Sequence, residues 1–143
     1  MNIHQISVFL ENRAGQLAEI TRLLSDAHVD IRAISIAEAA DYGVARMIVD
    51  DSYKASQILL NHGDILSMTP VWAVEVPDQP AALSDLLAML AENKIDVEYM
   101  YSLFTNRDGH AYMVLRINDD PKFLDAVGQR NIRVMSKEDL GLI

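Results

Sequence analysis

From Ile3 to Leu10 apolar and polar residues alternate, with Ile6, Val8 and Leu10 on one side, the period of a half-buried strand. The period then changes. From Gly15 onward Leu17, Ile20, Leu23, Leu24 and Ala27 recur at helical spacing. "HVDIRAISIAEA" is rich in β-branched residues and predicts a strand from about Asp30 to Ala37. "ADYG" is turn chemistry, with Gly43 suited to positive φ, and "VARMIVD" predicts the next strand. Asp51 or Ser52 can cap a helix bearing Ala55, Ile58, Leu59 and His62, which Gly63 stops. "ILSMT" gives a short last strand, so the predicted order is β-α-β-β-α-β.

The chain then repeats itself. Shifted by 66 positions without a gap, Val8 falls on Val74, Leu17 on Leu83, Leu24 on Leu90 and Asp30 on Asp96; Gly43, Ala45 and Met47 fall on Gly109, Ala111 and Met113. A long repeat present twice indicates duplication of a small domain rather than a solenoid. In the second copy Val71–Val76 predicts a strand, and Leu83, Leu86, Leu87 and Leu90 a helix. Asp96–Phe104 and His110–Ile117 are expected to pair across "TNRDG". Pro121 opens a helix with Phe123, Leu124 and Val127, and Ile132–Met135 closes the unit. The tail "SKEDLGLI" has no clear place in this scheme beyond a short helical turn.

The expected architecture is α+β: two tandem ferredoxin-like βαββαβ units, at residues 1–69 and 70–143, packed as an intrachain pseudo-dimer. Such units are small for independent cores and leave sheet edges needing cover, which also predicts a homodimer.

Composition narrows the function. The 143 residues are half apolar, carry a formal net charge of −9 and include no cysteine. Acidity argues against nucleic-acid and anionic-membrane partners. Absent cysteine removes disulfides, thiolate metal sites and cysteine nucleophiles. No apolar run approaches a membrane span, and the N-terminus lacks a basic start followed by an apolar block, so a cytoplasmic protein is expected. His4, His28, His62 and His110 lack metal-ligand spacing, and no phosphate loop or nucleophile elbow occurs. No cofactor, metal or catalytic residue is therefore expected. Acylphosphatases share the topology and place an arginine in the same loop, but their Gly-x-Val-Gln-Gly-Val signature is missing.

Candidate chemistry lies in the two strand–helix junctions. Loop one runs Asn12, Arg13, Ala14, Gly15, Gln16, Leu17; loop two, at the same register, runs Asp78, Gln79, Pro80, Ala81, Ala82, Leu83. Each opens a helix, whose first N–H groups lack internal partners and suit a carboxylate. Gly15 allows close approach, and Asn12 offers both an acceptor and donors. Asp30 in "HVDI" and Asp96 in "KIDV" open the second strands, where each is a candidate ammonium acceptor or a plain strand-start cap. Tyr99, Tyr101 and Phe104 are candidates for an aromatic pocket, with core or interface packing the commoner role; Met47 and Met113 read as core.

These junctions resemble the ACT domain family, whose pattern is Asn/Asp-x-Pro-Gly-x-Leu between first strand and first helix, then Val-(Asn/Asp)-Ile into the second strand. The resemblance covers nearly the whole chain, once per half. It implies the βαββαβ fold and the binding of amino acids as allosteric effectors. "ENRAGQL" is similar to the serine-sensing loop of D-3-phosphoglycerate dehydrogenases, Glu-Asn-Arg-Pro-Gly. By that match Asn12 and Asp30 correspond to the effector-binding asparagines, the second being aspartate here. Ala14 replaces the proline, and Leu10 stands where serine sensors carry histidine, which argues against serine. Pro80 is kept in loop two but Ala81 replaces glycine, so loop two is expected to bind weakly or act as scaffold.

The resemblance thus implies a tandem ACT protein without a catalytic domain: no enzyme, but a regulatory module that binds an amino acid and acts on a partner enzyme. Expected ligand-binding residues are Leu10, Asn12, Arg13, Ala14, Gly15, Gln16, Leu17 and Asp30, with Asp78 and Asp96 in the second copy. Backbone N–H groups around Ala14, Gly15 and Gln16 would take the carboxylate, and Asn12 with an acid the ammonium. Arg13 reads either as a further carboxylate partner or as a solvated surface residue. The alternative is a ligand-independent interaction domain, and a small ferredoxin-like enzyme ranks last.

Overall fold

A computed structural model describes residues 2–143. The elements are β1 (Ile3–Leu10), α1 (Gln16–Asp26), β2 (Ile31–Glu38), β3 (Gly43–Val49), α2 (Ser52–His62), β4 (Leu66–Pro77), α3 (Ala82–Glu92), β5 (Val97–Arg107), β6 (His110–Ile117) and α4 (Asp120–Gln129). The two predicted strands "ILSMT" and Val71–Val76 are one continuous β4 of 12 residues.

The chain divides into two compact units. One comprises His4–Thr69 with Gly141–Ile143; the other comprises Pro70–Leu140 with Asn2 and Ile3. In the first, antiparallel strands run in the order β2-β3-β1, and the chain just ahead of β4 lies beside β1, where Phe9 N–H donates to the Ile65 carbonyl at 2.9 Å. In the second the order is β4-β6-β5, and the segment after α4 takes the matching outer place. There Glu75 N–H donates to the Arg133 carbonyl at 3.0 Å, and Val74 bridges Val134. The predicted Ile132–Met135 strand is thus reduced to a single bridge.

Each unit has its own core of alternate strand residues closed by helix residues. Ile6, Val8, Ala45 and Met47 meet Ile20, Leu24, Ala55 and Leu59 in the first; Trp72, Val74 and Leu115 meet Leu86, Leu90, Phe123 and Val127 in the second. Met113 packs against the second core, as Met47 does in the first. Two of the apolar residues that marked these helices face outward: Leu83 is 40% and Leu124 45% exposed, while Met89 and Ala126 lie on the buried faces of α3 and α4.

The helix ends follow their sequence signals. Asp51 and Asp119 cap α2 and α4, their carboxylates accepting from Lys54 and Lys122 N–H, both at 3.1 Å. Pro121 therefore follows Asp120 rather than opening α4. Helix α1 ends with His28 at φ 60° and α3 with Lys94 at φ 58°, each followed by a bond that closes the last turn, Val29 N–H to Leu24 and Ile95 N–H to Leu90, both 2.9 Å.

The ungapped repeat needs correction. The offset is 66 through the second strand of each unit, as with His28 and Lys94 or Asp30 and Asp96. Beyond the hairpin it is 68: the caps are Asp51 and Asp119, and the left-handed residues after α2 and α4 are Gly63 and Asn131. Pairing agrees, since Ile36 meets Ala45 while Ser102 meets Met113. Two residues have been added in the β5–β6 hairpin. Gly43 and Gly109 are therefore not equivalent: Gly109 (φ 74°) with Asp108 (φ 48°) forms a two-residue turn tighter than "TNRDG" suggested. Gly43 does not take positive φ; it is the first residue of β3.

Candidate functional site

Loop one joins β1 to α1 in five residues. Asn12 (φ 59°) and Gly15 (φ 87°) both adopt the left-handed region, which turns the chain back sharply. Gly15 is the N-cap of α1, and no side chain caps that end. The same holds for α3, where Ala81 stands at the cap with right-handed dihedrals. Only the first helix of each unit lacks the aspartate cap that α2 and α4 carry, so its leading N–H groups are left without a partner inside the helix.

Gln16 closes loop one from beneath. Its Oε1 accepts Glu11 N–H at 2.7 Å, and the residue is only 7% exposed. Arg13 turns outward, donating to Glu19 Oε1 and Oε2 at 3.3 and 3.0 Å with Glu11 at 3.9 Å. Hydrogen bonding to Arg13, reinforced by its charge, holds the Glu19 carboxyl below its ordinary range, and Glu19 in turn raises the Arg13 guanidinium. The guanidinium is thus engaged by its own helix.

Above this loop lies a concavity of about 410 Å³. Six predicted residues line it: Leu10, Asn12, Arg13, Ala14, Gln16 and Leu17, with Gly15 between them at the helix cap. Three residues not foreseen complete it, namely Ile36, Glu38 and Gly43. The signal for them was cross-strand register: Leu10 pairs with Gly43, and Gly43 with Glu38.

Asp30 does not join these residues within its unit. It lines a separate concavity with Ser25, His28 and Val29 at the far end of α1. Its N–H donates to Asp50 Oδ1 at 2.9 Å, and its carboxylate pairs with Arg32 Nε at 2.8 Å. Asp96 repeats the backbone contact with Asn118 Oδ1, also at 2.9 Å. Asp78 is exposed, and its N–H donates to the Gly109 carbonyl at 2.7 Å.

The concavity at loop two, about 300 Å³, opens between Gln79, Ala81, Ala82 and the apolar Leu86, Met89 and Ile132. Glu75, Asp85 and Arg130 also line it, with Glu75 paired to Arg133 at 3.3 Å and Arg130 to Glu92 at 3.1 Å. Tyr101 is buried and stacks on Tyr99 at 6.5 Å, whereas Phe104 is 63% exposed; none of the three lines either loop concavity. Among the described residues no group of three His, Asp or Glu side chains is placed to hold a metal ion, and no helix is long and apolar enough to cross a membrane.

The family model for an ACT domain pair matches residues 1–143. No curated protein matches the chain. A solved structure of a protein from Bacteroides thetaiotaomicron is 33% identical, covers 100% of this chain and 98% of its own, and superposes with a TM-score of 0.91. The ligand-free regulatory subunit of aspartate kinase from Thermus thermophilus shares the fold at 15% identity, with 88% of this chain and 90% of that one covered and a TM-score of 0.65. The corresponding subunit from Thermus flavus, also 15% identical over 88% and 90% of the two chains, gives 0.62. With the twofold βαββαβ order and the uncapped junction between first strand and first helix, this full-length match establishes that the chain belongs to the family of ACT domain pairs.

Proposed function

We propose that this chain is a regulatory module, not an enzyme, which binds an amino acid at loop one and transmits that occupancy to a partner enzyme of amino-acid metabolism. The observation that carries the reading is the open head of α1: a helix start with no side-chain cap, a left-handed glycine at the cap, and a concavity above it lined by Asn12 and Gln16. Gln16 N–H is turned to the Arg13 carbonyl at 3.4 Å, and such an end favours a carboxylate through its dipole and the N–H groups that follow. The regulatory subunits named above support the regulatory part, since they show this fold used in that setting. A cytoplasmic homodimer completes the reading, on the lack of cysteine and the small size of each unit.

Ligand binding would shift the populations of alternative packings, and a partner can respond only to that difference. A thermal-shift panel of the standard amino acids tests the reading. One or a few should raise the melting temperature, and Asn12→Ala should lose the response. A flat panel, together with capture of a partner that survives dialysis and Asn12→Ala, would instead support a ligand-independent interaction domain.

A further inference from the structure

Three strands cross at the rim of loop one in a single row, Leu10 on β1, Gly43 on β3 and Glu38 on β2. Strands lie ~4.8 Å apart, so Leu10 and Glu38 are separated by about 10 Å along the row. Directly paired residues project to one face, and Leu10 projects to the face covered by α1. Glu38 therefore projects beside the head of that helix. The glycine between them keeps the row open: a Cβ at Gly43 would lie 3.7 Å from Leu10 Cβ and 3.4 Å from the Ala37 carbonyl.

The two ends of this trough carry unmatched groups. Gln16 is 7% exposed, and its Oε1 is taken by Glu11 N–H, which fixes the amide's orientation. Its Nε2 is left with two donors and no partner among the described residues, on the wall of the concavity. At the other end Glu38 is exposed, and its carboxylate makes no ion pair or hydrogen bond among the described residues. An amide donor open to the concavity beside a helix head suits an anion, and an unpaired carboxylate suits a cation.

We propose that Glu38 is the ammonium acceptor of the site, and that loop one reads a small aliphatic amino acid as a zwitterion. The ligand's carboxylate lies on the head of α1 and Gln16 Nε2, its ammonium on Glu38, and its side chain against Leu10, Leu17 and Ile36. With hydrogen bonds of about 3 Å at each end, the row accommodates a molecule one α-carbon wide. Asp30 has no part in this arrangement. In the second unit the matching row is Val76, Ala111 and Asn106, and Ala82 stands at the place of Gln16, so it offers neither the carboxylate, nor the gap, nor the side-chain amide donor. One ligand binds per chain.

This inference rests on the reading of loop one as an amino-acid site, and the test separates the two. The full chain, Glu38→Gln and Asp30→Asn are titrated calorimetrically with L-alanine, L-valine and L-leucine, and with propanoate, 3-methylbutanoate and 4-methylpentanoate, which lack the ammonium. At least one of the three amino acids should bind the unaltered chain at one site. Glu38→Gln should weaken it about tenfold or more, as loss of a charge-assisted bond requires. The des-amino acids should be indifferent to Glu38→Gln, and Asp30→Asn should bind normally. Equal binding by Glu38→Gln, a parallel loss of the des-amino acids, or loss in Asp30→Asn would overturn the assignment. If the aliphatic set fails while another amino acid binds, the inference falls and the amino-acid reading stands. If no amino acid binds, both fall.

Discussion

Gln16 Oε1 accepts the backbone N–H of Glu11 at 2.7 Å, so the first residue of α1 ties down the chain leaving β1. This bond makes loop one a fixed turn. Gln16→Leu keeps the volume but strands a backbone donor, at a cost of about 1–3 kcal/mol. Urea unfolding of the two proteins checks it; an unchanged midpoint would show that water satisfies Glu11 equally well.

Two glycines separate backbone strain from helix propensity. Nothing lies within 4 Å of a Cβ built at either Gly15 or Gly128, so neither substitution clashes. Gly15 sits at φ 87°, where an alanine costs about 1–2 kcal/mol. Gly128 lies inside α4 and takes no positive φ, so alanine there should stabilise by about 1 kcal/mol. Thermal melts of Gly15→Ala and Gly128→Ala should therefore shift in opposite directions.

The aspartate caps should prove interchangeable in size of effect. Asp51→Ala and Asp119→Ala each remove an acceptor for an N–H three residues on, at 3.1 Å in both cases. Each should cost about 1 kcal/mol in chemical denaturation. Asparagine at either site should recover most of it.

Much of this architecture was legible because local chemistry and tertiary structure agree. Alternation in β1, the cap at Asp51, the stop at Gly63 and the doubled "HVDI"/"KIDV" junction each rest on a few neighbouring residues. The ungapped repeat failed where local pattern misleads: glycine at positions 43 and 109 aligned by sequence, yet one opens a strand and the other completes a turn. Leu10, Asn12 and Gln16 were found because they flank one junction. Glu38 and Ile36 were not, because β2 reaches loop one only through β3, and that register cannot be read from spacing along the chain.

The Arg13–Glu19 pair sets a pH dependence whose sign is fixed. Its hydrogen bond and charge lower the Glu19 carboxyl from its ordinary value. A carboxyl with a depressed folded pKa contributes stability above its unfolded pKa, and that contribution is lost as pH falls through the folded one. The pair is exposed, so the effect is small and sensitive to salt. A carbon-detected NMR titration should find Glu19 below the ordinary glutamate value, and Arg13→Gln should raise it. An unchanged Glu19 in that variant would show that the pair does not persist in solution.

The central claim is that the head of α1 receives an amino acid and the head of α3 does not. Backbone amide NMR of the whole chain, titrated with the amino acid that most raises the melting temperature, reports on both helix ends at once. The predicted result is saturable movement of the Ala14, Gly15, Gln16 and Leu17 amides while those of Ala81, Ala82 and Leu83 stay in place. Movement centred on loop two, or none at either helix head, would contradict it.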